Sequence, residues 1–209
     1  MSTSALQIAL ATQKRSRAAF EGARRLTRTA PAVDSAHMNP QFSEALEAFQ
    51  RGDLDRARAL AESEISKGPS AQAHHLLGLV HCRLGDPTEG VEQLRLASEG
   101  EPANAGYRIM LMRAMVDAGR AVDVLEMAEP PQIQSAATLE LWRTRGEAAD
   151  AAQDSAARIT AWAKVANAAQ NDWRAWANLA SALTSQLRWV EANEALNNAM
   201  RINPSEASL

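Results

Sequence analysis

Residues 176–204 contain Trp176-x-x-Leu179-Ala180-x-x-Leu183, then Ala192-x-x-x-Leu196-x-x-Ala199, then Pro204. Apolar residues three and four apart share one helix face, so the stretch reads as two facing helices. The small residues Ala180, Ala192 and Ala199 let the two backbones approach, and the large ones fill the gap between them. Pro204 ends the second helix, because proline lacks the amide donor and clashes with the preceding turn. The arrangement returns upstream. Residues 71–104 give His74-x-x-Leu77-Gly78-x-x-His81, then Gly85, Gly90, Leu94, Ala97 and Pro102. Residues 38–70 give Ala45, Gly52, Ala57, Ala61 and Pro69. The turn glycines Gly52, Gly85 and Gly119 are spaced by 33 and 34 residues, the period of a helical-hairpin repeat.

On these anchors the chain from about Met38 to Pro204 resembles a tetratricopeptide repeat protein. The resemblance implies an all-α, right-handed α-solenoid of about five helix-turn-helix repeats, near 38–70, 71–104, 105–136, 137–172 and 173–206. Each hairpin cannot bury its apolar face alone and stacks on its neighbours. Composition agrees: 44 Ala stand against 14 Val plus Ile in 209 residues, which favours helix over strand. Two repeats depart from the pattern. In the third, Pro130-Pro131 cuts the second helix after Ala121 to Glu129. The fourth keeps Trp142 and Gly146 as first-helix anchors, but its turn holds Asp154 where glycine is usual, and it ends at Gln170-Asn171-Asp172 without proline. A local irregularity is expected there.

The net charge of −3 hides a division near residue 30: residues 1–30 carry +5 and the remainder −8. A basic arm on an acidic body either docks onto it or meets something else. Residues 1–37 read as an ordinary helix with a linker, a leader of the organellar type, or a peptide joined to the domain, with Met38 as an internal start. After Pro204 the chain stops without a polar capping helix. That favours a truncated chain or a homodimer through the uncapped C-terminal hairpin. No apolar run approaches the ~18 residues of a membrane span, and the array is expected in the cytoplasm. An acidic body repels a phosphate backbone, so no nucleic-acid partner is expected.

Catalytic signals are lacking. No Gly-rich phosphate loop, G-x-S-x-G, H-E-x-x-H or C-x-x-C occurs, so neither an enzyme nor a cofactor site is expected in this chain. His74 and His81 share a helix face and could hold a metal, but both fall on packing anchors, which explains them fully. The single Cys82 has no paired base and reads as inert. Trp142 and Trp176 fall on core anchors, and Met110, Met112, Met115 and Met127 read as packing of the irregular third repeat.

Tetratricopeptide arrays hold a peptide or helix against the concave face lined by their first helices. The resemblance places Phe42, Leu46 and Phe49 there in the first repeat, and His75, Leu79, Cys82 and Arg83 in the second. The third supplies Ile109, Arg113, Val116 and Asp117, and the fourth Arg143 and Glu147, with Glu140 and Asp150. Arg174, Ala177, Ser181, Thr184 and Ser185 make the fifth bland. Phe42, Leu46, Phe49, Leu79, Ile109 and Val116 would form an exposed apolar stripe across three repeats, the mark of a partner surface. An amphipathic helix is its natural ligand, and residues 3–28 of the chain itself could supply one, their arginines meeting Glu140, Glu147 and Asp150. The Lys and Asn residues with which chaperone-binding members clamp a C-terminal carboxylate are absent, since Phe42 and Leu46 stand in their places. Ala-rich arrays also look like the N-terminal parts of bacterial sulfotransferases, aspartyl hydroxylases and glycosyltransferases, where the repeats present a protein substrate to a separate catalytic domain.

Overall fold

The structure, a computed structural model, describes residues 40–132 and 134–204. Among these residues ten helices follow one another and no strand occurs. The chain divides into two compact units, Met1–Asp117 and Ala118–Leu209, which are taken in turn.

The first unit contains α1 (Pro40–Arg51), α2 (Leu54–Lys67), α3 (Ala71–Leu84), α4 (Pro87–Gly100) and α5 (Ala105–Asp117). Each helix packs on the next along the chain. Capping residues fix the starts. Asp53, Ser70 and Asp86 accept hydrogen bonds from the backbone N–H groups of Arg56, Ala73 and Glu89, satisfying donors that have no partner inside the helix. Gly85 closes α3 at φ +85°, a left-handed conformation that a side chain would disfavour. The tightest crossing joins α3 to α4. A Cβ added at Gly78 would lie 2.7 Å from Leu94 Cγ, and one at Gly90 would lie 2.5 Å from Cys82 Sγ. The glycines there serve close approach.

The second unit contains α6 (Ala121–Glu126), α7 (Ala136–Ala151), α8 (Ser155–Ala168), α9 (Trp173–Ser185) and α10 (Trp189–Ile202). Helix α6 stops three residues before the expected Glu129, with Met127 already extended. Pro130 disfavours helical geometry at Glu129, and Arg145 of α7 replaces the lost helical bonds. Its guanidinium donates to the carbonyls of Val124 (3.2 Å), Leu125 (2.8 Å) and Met127 (3.2 Å). Ser135 and Thr138 then start α7 with a reciprocal capping box. Trp142 is a core residue and Trp176 packs partly buried against the same cluster, as their anchor positions predict; Trp162 joins them in the core, and a Cβ on Gly146 would lie 2.7 Å from its indole. Trp189 differs: it is 60% exposed.

The turns of this unit correct one expectation. The left-handed residue between α7 and α8 is Gln153, at φ 57°. Asp154 follows it as the cap of α8, accepting from the N–H groups of Ala156 and Ala157 at 3.0 Å. A carboxylate at a helix start is worth more than one at the turn apex, so the register shifts by one. Leu187 takes the equivalent place between α9 and α10 at φ 58°, with its side chain 69% exposed. Nothing in its packing offsets the strain of a left-handed leucine. Leu187→Gly should therefore raise stability by about 1 kcal/mol, read as a higher thermal midpoint with unchanged helix content. A fall in the midpoint would show that the exposed side chain supports the fold.

Candidate functional site

Helices α1, α3 and α5 carry the predicted groove residues of the first unit. Phe42, Phe49, Leu79 and Ile109 are each 8% exposed or less, and Leu46 and Val116 are half-buried. The expected exposed stripe is therefore corrected: its large apolar members pack into the core. The three-to-four spacing cannot distinguish a side chain facing solvent from one wedged against the neighbouring hairpin. Beside the half-buried Leu46 and Val116, what remains accessible is polar. His75, Arg83 and Arg113 are half-buried and Asp117 is exposed.

Two of these residues tie the first helices together. Arg83 of α3 lays its guanidinium 3.9 Å from the centre of the Phe49 ring on α1 and donates Nη1–H to the Phe49 carbonyl at 3.0 Å. A planar cation on an aromatic face, with one donor fixed, is held in orientation. His75 of α3 stacks on Tyr107 of α5, with ring centres 4.9 Å apart. Its Nε2 is buried without a hydrogen-bond partner, and burial pushes its pKa down to about 4. On α5, Arg113 lies close enough to Asp117 to act on its carboxylate. No sequence signal marks Tyr107. Its partner lies one repeat away, so no local pattern announces the contact.

In the second unit, Arg143 is half-buried and committed to Asp172 (2.6 Å) and Glu140 (3.4 Å). Glu147 is exposed. Asp150 accepts from the Trp162 indole N–H at 3.0 Å and is paired with Arg158. Glu140 and Asp150 thus already have cationic or indole partners within the second unit. The basic arm itself, residues 1–37, lies outside the described residues.

The remaining reactive side chains have structural partners. His74 Nδ1 lies 2.8 Å from Gln93 Oε1, while His81 Nδ1 lies 4.0 Å from the Asp86 carboxylate. Among the described residues no three of His, Cys, Asp and Glu gather as a metal set. The Cys82 thiol is pushed up to about 11, first by burial and then by the carboxylates of Asp117 and Asp86. It is a protonated packing group at neutral pH. No helix among the described residues is long and apolar enough to cross a membrane.

No protein-family model matches the chain, and no curated protein matches it in sequence. Solved structures do match in shape. A crystal structure of MamA superposes with a TM-score of 0.63 at 16% identity, covering 83% of this chain and 99% of that one. MamA 41-end from Desulfovibrio magneticus RS-1 gives 0.60 at 14% identity, covering 82% and 100%. YrrB, described as a TPR protein with an unusual peptide-binding site, gives 0.63 at 16% identity, covering 82% and 89%. Identities this low speak for architecture alone. Paired helices at a period near 34 residues, glycines and alanines at the crossings, and these superpositions together give the chain the tetratricopeptide-repeat fold.

Proposed function

We propose that the chain is a non-catalytic interaction module that receives a helical or extended protein segment against α1, α3 and α5. The observation that carries this reading is Arg83. Its guanidinium is fixed across two first helices by the Phe49 ring and carbonyl, and it is only half-buried. A cation so oriented, on first helices that also carry the half-buried Leu46 and Val116, suits a ligand that carries apolar residues and a carboxylate. The YrrB likeness supports a peptide ligand by analogy of fold.

The chain's own arm is one such ligand. Residues 3–28 hold Leu6, Leu10, Phe20 and Leu26 at roughly helical spacing, and Glu21 is the single acid of residues 1–30. Calorimetric titration of a peptide of residues 1–36 into residues 38–209, at two salt concentrations, tests this. Micromolar binding is expected, weakened about tenfold by Arg83→Gln or by Glu21→Gln, with little further loss when both are changed. No heat at either salt would remove the arm as ligand. Peptide selection on the intact chain would then test the module itself, and failure of Arg83→Gln to weaken the selected peptides would overturn the proposed groove.

A further inference from the structure

Helix α6 ends at Glu126, and the chain runs on extended from Met127. A pocket of about 560 Å3 lies there, lined by Glu129, Pro130, Gln132, Trp142, Lys164 and Asn167, with Ala168 at its edge. Its walls are held in place. The Trp142 indole N–H donates to the Pro131 carbonyl at 2.9 Å, and Arg145 grips the chain just before it through three carbonyls.

The pocket already contains an ammonium group. Lys164 Nζ lies 3.8 Å from the centre of the Trp142 ring and 3.6 Å from the Glu129 carboxylate. Trp142 is 1% exposed, with this lysine over one face of its indole. An indole face with a carboxylate beside it is the chemistry that recognises alkylammonium groups. The C-terminal end of α8, at Asn167 and Ala168, adds the partial negative charge of the helix's last carbonyls. The resident contact is weak: the Lys164 and Glu129 side chains are 45% and 60% exposed, and ion pairs so exposed contribute little.

We propose that this pocket is a binding site for an alkylammonium cation, a partner protein's lysine side chain whose ammonium takes the position now held by Lys164 Nζ. Lys164 is a tethered competitor that keeps the indole face covered until such a partner arrives. The site is separate from the groove of the first unit, so either can fail without the other.

The test titrates the intact chain with Nα-acetyl-lysine amide at constant ionic strength, following the Trp142 indole N–H resonance. Lys164→Ala should show a saturable shift with apparent affinity at least fivefold tighter than the unaltered chain, because the competitor is gone. Adding Glu129→Gln should abolish the gain, and the uncharged norleucine amide should produce no shift. Lys164→Gln, which keeps most of the stem, guards against a packing artefact and should behave like Lys164→Ala. Absence of a saturable shift in both variants, or an equal response to norleucine amide, would overturn the proposal.

Discussion

Gly90→Ala should destabilise the first unit by about 2 kcal/mol, although alanine is the better helix former. At an unconstrained helical site the exchange would gain about 1 kcal/mol. Here the added Cβ would lie 2.5 Å from Cys82 Sγ, 3.1 Å from the Gly78 carbonyl oxygen and 3.2 Å from the Cys82 amide nitrogen. Overpacking of this kind costs about 1–3 kcal/mol and sometimes more, and two of the three contacts are backbone, which cannot rotate away. The strain passes into the crossing of α3 and α4, whose core holds Leu76, Leu77, Val91 and Leu94.

The same geometry predicts a partial rescue. Cys82→Ala removes the nearest atom, so the double variant should be more stable than the two single losses added together predict. A coupling of about 1 kcal/mol is expected for side chains in such contact. Urea unfolding with a probe confined to the first unit measures it. Strict additivity would mean that the Cys82 thiol yields freely and that the backbone contacts alone carry the cost. A Gly90→Ala chain as stable as the original would contradict the crossing itself.

The fold was legible in the sequence because its determinants are local and repeated. Gly52, Gly85 and Gly119 mark turns at one period, and all three adopt positive φ. The Ala and Gly positions mark where helices cross. The candidate site was legible only in part, since a repeat pattern locates a residue on a helix without saying what the next hairpin places over it. Phe42 and Ile109 sit at groove positions yet are buried. Arg83 was placed in the groove by position, but its grip on Phe49, 34 residues away, depends on how the hairpins stack. Arg145 was missed for the same reason. The irregular third hairpin was foreseen from Pro130-Pro131, whereas the pocket it opens required the course of residues 127–132 in space.

Lowering the pH from 7 to 4.5 should weaken the first unit through His75. In the unfolded chain this imidazole takes a proton near pH 6.5, while in the folded chain it holds off until about 4. Between those values the unfolded state binds more protons, so stability is full above about pH 6.5 and falls as the pH drops. The cause is burial beside Tyr107, where a charged ring would lose water and its Nε2 has no acceptor. A shift of this size corresponds to at most about 3 kcal/mol over the whole window. Carboxylates titrate in the lower part of the same range, so the informative quantity is a difference between two chains. His75→Phe keeps a ring against Tyr107 and cannot take a proton. Its unfolding midpoint should fall less steeply than that of the original between pH 6.5 and 4.5. Parallel curves across that interval would show that His75 takes its proton at the same pH folded and unfolded, and the buried, unpartnered imidazole would have to be given up.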